Sequence, residues 1–413
     1  MESWGWISAS GSEKVLESFS CEVCRGVAKN CSLMKCPFYR EAVREALKSI
    51  KSMGVLSGPT PPTILVGEWG YPRVYAGTGM ALTPDIDPRV LESPRSWLHI
   101  PLDELLNMRL GILMGRTRVR VDLARSPAKI IDALQDSSAS QKPVDLELKM
   151  SSGAVRFVPG LGVRHAPYGP AGRVEYIKLI DNPSIPRPVD RVISDPYIPA
   201  LEAVQKLSSQ GIDEYYLTRL LSAGLLGRRI DRNLVPTEWS ITAVDDMLGK
   251  IALRRVKRNK IIGEFRVYSF SAHFNTAYVV LMPTPWMYEL LEGWVKSGAV
   301  YSDHELSWGR SSYADNTGGA YYACRLPILQ HLNRIGVQAG VIVFFEVDRG
   351  WIPLGVWRFR EIVREALEGS QAKCGSLAEA LGLLEGKLKL GLNTYVRRSR
   401  LIPLVLKQAR LSP

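Results

Sequence analysis

The sequence predicts an α+β or mixed α/β fold, with a small four-cysteine zinc module ahead of a larger body of helices and strands. Amphipathic helical patterns alternate with short strand patterns, without a regular βαβ rhythm. The 413 residues, 46% hydrophobic and 23% charged, are typical of a folded protein with two or three domains. Four of the six cysteines lie between positions 21 and 36.

The clustered cysteines predict a structural zinc site. Their spacing is C-x2-C-x6-C-x4-C, and four thiolates on short loops suit tetrahedral Zn²⁺ without leaving an open position for catalysis. The ligands would be Cys21, Cys24, Cys31 and Cys36. An iron–sulfur cluster and a pair of disulfides use the same residues and stay open as alternatives. We interpret the isolated Cys324 and Cys374 as small buried hydrophobic residues.

Changes of pattern divide the chain into four regions. Residues 1–56 hold a leader, the cysteine module and an amphipathic helix at 38–53. Residues 57–260 form an N-terminal α/β region with a basic strand and loops rich in proline and glycine. Residues 261–396 form a C-terminal α+β region, and residues 397–413 form a basic tail.

The N-terminal region begins with short strand patterns at 63–67 and 70–77. Strict alternation then predicts a strand at 116–121, followed by a helix at 127–137 and a strand at 144–148. Residues 153–196 are rich in proline and glycine, which predicts ordered loops. Apolar residues at helical spacing predict helices at 198–209 and 213–223.

In the C-terminal region, alternation and aromatic residues predict strands within 265–282. The pattern at 285–295 predicts a helix, and the apolar run at 339–345 predicts a buried strand that ends at Glu346. A helix is expected at 357–367, with Arg358, Arg360 and Arg364 on its surface.

The chain carries a formal net charge of +12 and a pI of about 9.4. This excess favours anionic partners, with nucleic acid before a membrane surface, although many basic proteins bind neither. No run of eighteen apolar residues occurs, so no membrane span is expected. The first residues lack a basic stretch followed by an apolar one, which predicts a cytoplasmic location.

Two basic segments are candidates for phosphate contact. Arg116, Arg118 and Arg120 alternate with other residues, so on a strand their guanidiniums share one face. That face would either bind anions or simply be solvated. The second segment contains Arg254, Arg255, Lys257 and Arg258.

Paired carboxylates at Asp245 and Asp246 are candidates for acid–base catalysis or for holding Mg²⁺ or Mn²⁺. The alternative is the first turn of a helix, capped by Ser240 and Thr242, where acids face the helix dipole. His165 lies beside two prolines in the rigid segment HAPYGP and is a candidate general base, although a single histidine is more often structural.

The segment from 303 to 325 concentrates acids, tyrosines and a pair of glycines. Asp303 and Glu305 suit hydrolytic chemistry on a phosphodiester or glycosidic bond. Tyr321 and Tyr322 would stack on bases, and Arg325 would contact nucleic acid. The alternative is a surface turn in which the glycine pair supplies positive φ angles.

Several segments carry a family resemblance besides the four-cysteine motif. They are PPTILVG (61–67), GYPRV (70–74), LQD (134–136), HAPYGP (165–170), LVPTEWSITAVDD (234–246), GAYY (319–322) with Arg325, and PLGVW (353–357). On these segments the chain resembles the archaeal Nre DNA-repair family over nearly its whole length.

The resemblance implies a role in the repair of DNA damage, without implying a particular reaction. Members typically carry a C-terminal peptide that docks on the sliding clamp, written Gln-x-x-aliphatic followed by two aromatic residues. Gln408 and Leu411 match its beginning, but Ser412 and Pro413 follow instead of aromatics. The hydrophobic plug for the clamp pocket is therefore missing.

These observations lead to one principal hypothesis, a protein that binds damaged or branched DNA and processes it hydrolytically, as a nuclease or glycosylase does. One alternative is a non-catalytic adaptor recruited to the sliding clamp. Another is a nucleotide-processing enzyme whose basic surface holds a phosphorylated ligand. Whether the protein is an enzyme stays open at this point.

Overall fold

The computed structural model describes residues 55–82, 86–151, 166–351 and 354–409. Its content of 39% helix and 27% strand agrees with the predicted α+β class. The cysteine module, the helix predicted at 38–53 and His165 lie outside the described residues. Within the described residues, no helix is both long and apolar enough to cross a membrane.

Within the described ranges, the first sheet contains six strands in the order β1-β5-β6-β4-β3-β2. The strands are β1 (Val55–Thr60), β2 (Leu65–Val66), β3 (Arg73–Ala81), β4 (Ile112–Arg120), β5 (Val144–Met150) and β6 (Ala171–Leu179). Neighbouring strands are antiparallel except β4 and β6, which are parallel. Burial alternates along β5, as in a sheet with one packed face and one solvated face.

Seven α-helices of the described residues belong to this half of the chain. Three connect β3 to β4, namely α1 (Pro88–Leu91), α2 (Pro94–Trp97) and α3 (Leu102–Leu110). The other four are α4 (Lys129–Ala139), α5 (Arg187–Ser194), α6 (Ala200–Ser208) and α7 (Glu214–Ser222). These four pack their apolar side chains into one core with the inner face of the first sheet.

The second sheet also has six strands, in the order β11-β10-β13-β9-β8-β14, and β10 and β13 are parallel. The strands are β8 (Phe265–Ala272), β9 (Asn275–Met282), β10 (Met287–Trp294), β11 (Ala299–Glu305), β13 (Gly340–Val347) and β14 (Ala372–Cys374). A separate parallel pair joins β7 (Lys260–Ile261) to β12 (Val337–Gln338).

Helix α8 (Thr237–Val256) belongs to the cores of both halves. Val244 and Leu248 pack in the core of the first sheet, whereas Leu253 and Val256 pack in that of the second. The second sheet is covered on one face by α9 (Gly319–Arg334) and α10 (Trp357–Glu368). Its other face is covered by α11 (Leu377–Gly382), α12 (Leu392–Arg398) and α13 (Leu401–Ala409).

The helix predicted at 285–295 is wrong, because Met287–Trp294 is strand β10. This strand is paired on both edges and covered on both faces, so the sheet environment overrides its local spacing. Its acid Glu289 is buried and accepts hydrogen bonds from Oγ of Ser399 and the backbone N of Arg400, at 2.5 and 2.7 Å.

The loops predicted at 153–196 are also partly wrong, since this stretch contains strand β6 and helix α5. Strand β6 lies in the middle of the first sheet, between β5 and β4. Its alternating sequence, AGRVEYIKL, sits between proline-rich flanks that obscured the signal.

Two arginines predicted on the surface of the helix at 357–367 are buried instead. Nη2 of Arg360 donates to both carboxylate oxygens of Asp245, at 2.7 and 2.5 Å. The guanidinium of Arg358 packs over the rings of Trp351 and Phe359. The other strands and helices named above for the described residues are confirmed, within shifts at their ends, and Cys324 and Cys374 are buried as predicted.

Candidate nucleic-acid interface

One wall of a surface cleft is formed by helix α8. Asp246, Lys250, Arg254 and Lys257 recur every three or four residues and line the cleft together. Nζ of Lys250 lies 2.5 Å from Oδ2 of Asp246. Arg254 and Lys257 are exposed, and no carboxylate among the described residues forms an ion pair with them. These two cations are therefore available to an anionic ligand.

The opposite wall is the segment 308–313, which follows strand β11. Arg310 holds this segment by donating to the carbonyls of His304, Ser312 and Tyr313, at 3.1, 3.1 and 2.7 Å. Its Nη2 also lies 3.1 Å from Oδ1 of the buried Asp303. Several bonds to one guanidinium thus give a loop without regular structure a defined shape.

The floor of the cleft is a buried ion pair. Nε and Nη2 of Arg325 both lie 2.8 Å from Oε1 of Glu305, and Nε1 of Trp286 donates to the same oxygen. Burial and the nearby Glu305 carboxylate raise the pKa of the Tyr321 hydroxyl well above its ordinary value. Nη1 of Arg325 is buried and has no hydrogen-bond partner among the described residues. A buried donor without a partner costs about 1–3 kcal/mol, so a ligand oxygen that reached it would relieve this cost.

The cleft has a volume of about 420 Å³, and of the described residues that line it five are basic and two acidic. Both acids, Asp246 and Glu305, are already paired with basic neighbours. Trp308 stands at the rim with 78% of its surface exposed. A positive cleft with an exposed aromatic ring suits a phosphate group and a base.

Seven residues predicted from the sequence meet in this cleft, namely Asp246, Arg254, Lys257, Glu305, Tyr321, Tyr322 and Arg325. The rings of Tyr321 and Tyr322 are packed in the core, with Tyr321 only 1% exposed. Their faces are covered by protein, so the exposed Trp308 is better placed for stacking. The sequence reasoning missed Lys250, Trp308 and Arg310, although an isolated tryptophan in the polar stretch LSWGRSSY was an available signal.

Of the remaining residues of the second basic segment, Arg255 lies on α8 and Arg258 lies in the turn that follows the helix. Arg255 and Arg258 are exposed but do not line the cleft. Consecutive residues of a helix point about 100° apart, which turns Arg255 away from Arg254. A run that is continuous in sequence is thus divided, with only Arg254 and Lys257 in the cleft.

Two predicted acids hold parts of the protein together. Asp245 lies inside α8 rather than in its first turn, and burial raises its pKa to about 6 although Arg360 opposes this. The carboxylate of Asp303 accepts from the backbone N of Asn316 and of Thr317, at 3.0 and 2.8 Å. These contacts occupy the acceptors of both carboxylates.

The four predicted carboxylates do not converge. In the part of the chain that the structure describes, no group of three or more His, Cys, Asp or Glu side chains could hold a metal ion. Each carboxylate is instead bound by a basic side chain. The described residues therefore do not fit a Mg²⁺ or Mn²⁺ site, and the predicted zinc ligands lie outside them.

The first basic segment forms a separate surface on the first sheet. Arg116, Arg118 and Arg120 lie on strand β4 and share one face, as their alternation predicted. Arg73 of β3 pairs in register with Arg120, and Arg173 of β6 with Arg116. We call these five residues the arginine face.

Comparisons with known proteins agree on one family. The family profile described as Archaeal Nre, N-terminal matches residues 30–302, and that described as Archaeal Nre, C-terminal matches residues 305–413. DNA repair protein NreB of Archaeoglobus fulgidus is 31% identical over 402 residues, covering 92% of this chain and 96% of the relative.

Two further relatives are named DNA repair protein NreA. The one from Archaeoglobus fulgidus is 34% identical and covers 88% of this chain and 92% of its own length. The one from Haloferax volcanii is 31% identical and covers 83% of this chain and 86% of its own length. The two profiles together span residues 30–413 with a gap of two residues. The chain therefore belongs to the archaeal Nre family.

Proposed function

We propose that this chain is a DNA-repair protein that binds DNA in the basic cleft between α8 and the segment 308–313. The names of its relatives support the repair role. The excess of basic side chains around the cleft supports DNA as the ligand, and this is the observation that carries the proposal.

In this proposal the cleft contacts the DNA backbone first. Arg254 and Lys257 neutralise phosphates at the entrance to the cleft. Trp308 stacks on a base that reaches the rim. Because phosphate contacts release counterions, affinity should fall steeply as the salt concentration rises.

The test compares two charge-matched double variants. Arg254→Ala with Lys257→Ala removes two cations from the cleft, whereas Arg191→Ala with Lys206→Ala removes two exposed cations from α5 and α6. Binding of fluorescent single-stranded, duplex and forked DNA is measured over a range of salt concentrations. The cleft variant should bind at least about tenfold more weakly, and its salt dependence should decrease by roughly 0.7–0.9 for each phosphate that is no longer neutralised. Equal affinities for the two variants would refute the cleft as the binding site.

Hydrolysis of the bound DNA is a finer hypothesis, and it depends on Asp246. This residue is the one predicted carboxylate that both lines the cleft and keeps a moderately exposed side chain, at 27%. Its ion pair with Lys250 holds the carboxylate at the wall of the cleft. Asp246→Asn should then abolish product formation while DNA binding stays within about twofold of wild type.

If the wild-type protein leaves every DNA substrate intact, the adaptor hypothesis takes precedence. That hypothesis places recruitment at the C-terminal residues Gln408 and Leu411, whose side chains lie outside the described residues. It is tested by measuring binding of the full chain to the sliding clamp, with Gln408→Ala as the variant. Mononucleotide binding without DNA binding would favour the nucleotide-processing alternative.

A further inference from the structure

We propose that the arginine face, with the aromatic pair Tyr71–Trp239 at its edge, binds single-stranded DNA. The surface is separate from the basic cleft. The inference rests on the proposed function only in taking DNA as the ligand. Its support comes from the register of three strands, the balance of charge and the exposure of two rings.

The strand register brings the arginines together. Tyr75 of β3 pairs with Arg118, two residues along each strand from the pair Arg73–Arg120 and therefore on the same face. Arginines at every second position of β4 recur about every 6.8 Å, because a strand rises about 3.4 Å per residue.

Most of this charge is not paired with a carboxylate of the described residues, although Glu68 and Glu238 line the same pocket as Arg116. Arg120 pairs with Asp122 at 2.9 Å, and Glu175, which lies near Arg173, pairs instead with Lys149 at 2.8 Å. The other members of the face form no ion pair with any carboxylate among the described residues; they are Arg73, Arg116, Arg118 and Arg173. A cluster of this kind on a solvated face repels itself and attracts a polyanion.

The face also presents aromatic rings. The guanidinium of Arg116 lies 5.1 Å from the ring centre of the exposed Tyr75. A Cβ on Gly70 would lie 3.3 Å from Nη2 of Arg118, so this guanidinium rests against the turn that leads into Tyr71. The arginine face and the aromatic pair are therefore contiguous.

The aromatic pair is held in position and still accessible. The rings of Tyr71 and Trp239 lie 5.5 Å apart at 36°, and they are 50% and 46% exposed. Nε1 of Trp239 donates to Oε2 of Glu68 at 3.1 Å, which holds the indole at the start of α8. A fixed, half-exposed ring loses little conformational entropy when a base stacks on it.

These rings favour a single strand over a duplex. In a duplex the base faces are covered by their neighbours, so the protein reaches mainly phosphates and base edges. In a single strand the base faces can leave the stack and pack on aromatic side chains, while arginines follow the backbone. Arginines and accessible rings in one surface match the second arrangement.

The test uses fluorescent oligodeoxythymidine and a blunt duplex of equal length. Tyr71→Ala should weaken binding to oligodeoxythymidine about tenfold and leave duplex binding nearly unchanged. Arg118→Ala combined with Arg173→Ala should weaken it at least as much and reduce its salt dependence. Tyr301→Ala, which removes an exposed tyrosine from the second sheet, is the matched control and should bind as wild type. Thermal melting of each variant identifies any loss of folding.

The outcomes separate this inference from the cleft proposal. Equal losses on single-stranded and duplex DNA would indicate phosphate contact alone and would overturn it, as would wild-type affinity in both sheet variants. The cleft variant Arg254→Ala with Lys257→Ala should retain a single-strand affinity that Tyr71→Ala still reduces. If only the sheet variants lose affinity, the inference stands and the cleft proposal fails. If only the cleft variant loses affinity, the cleft proposal stands and the inference about the arginine face fails.

Discussion

The guanidinium of Arg325 occupies the space that a side chain at Gly249 would need. A Cβ on Gly249 would lie 2.6 Å from Nη1 of Arg325. Glycine in a helix interior costs about 1 kcal/mol relative to alanine, so α8 gives up some helical stability at this point. The glycine allows the guanidinium of Arg325, at the floor of the cleft, to pack directly against the backbone of α8.

The first prediction concerns this contact. Gly249→Ala should lower the free energy of unfolding by about 1 kcal/mol, because a pinned, buried guanidinium must move. The control is Gly382→Ala in helix α11, where a Cβ would meet no atom within 4 Å. That change should raise stability by about 0.5 kcal/mol. Urea unfolding measures both, and a stabilised Gly249→Ala variant would contradict this packing.

The second prediction is a pH dependence at Glu214. Burial alone would raise its pKa, but Arg364, Arg360 and Arg95 together lower it from 4.5 to about 2. A carboxyl with a lowered folded-state pKa stabilises the protein above its unfolded pKa, and this contribution is lost as the pH falls through the folded value. Glu214→Gln should therefore cost about 3 kcal/mol at pH 7 and little near pH 2. As the control, Glu202→Gln at an exposed position should change the free energy of unfolding little at either pH. If the destabilisation by Glu214→Gln were the same at both pH values, the lowered pKa of Glu214 would be refuted.

The third prediction separates positioning from catalysis at Asp303. Asp303→Ala removes the acceptor for Asn316 and Thr317 and the partner of Arg310, so the segment 308–317 should lose its shape. Hydrogen exchange of this segment should increase, and DNA affinity should fall about tenfold, as expected when a charge-assisted hydrogen bond is removed. Asp315→Ala, an exposed residue in the same segment, should change neither. Unaltered exchange in Asp303→Ala would argue against a positioning role.

The fourth prediction concerns the cysteine cluster. Metal analysis of the purified chain should find one zinc ion per molecule, as four thiolate ligands imply. Cys36→Ser should lower the zinc content and the melting temperature, since structural zinc contributes directly to folding. Cys374→Ser should keep the zinc. Bound iron with visible absorption would establish the iron–sulfur cluster instead. A metal-free protein with oxidised cysteines would establish the pair of disulfides.

The local features of this protein were predictable from its sequence. The alternation of Arg116, Arg118 and Arg120 depends only on the two-residue period of a strand, and the structure places these arginines on one face. The helices around 200 and 214 follow from apolar residues at helical spacing. The motifs of the Nre family were also visible, because they are contiguous in the chain.

Contacts between distant segments were not predictable. The sequence makes Asp245 a candidate catalytic or metal-binding acid, or else part of the first turn of a helix, but it is bound to Arg360, 115 residues away. The strand at Met287–Trp294 resembled a helix because its environment on both faces comes from other elements. No local pattern encodes such partners.

The sequence by itself determined the family, the basic character of the chain and the residue types from which a DNA-binding surface is built. The tertiary structure decided which of them meet, since Arg254 and Arg325 line one cleft although 70 intervening residues separate them along the chain. The physical reason is that the spacing of side chains along a helix or strand is local, whereas a cleft or a buried ion pair depends on how whole elements pack.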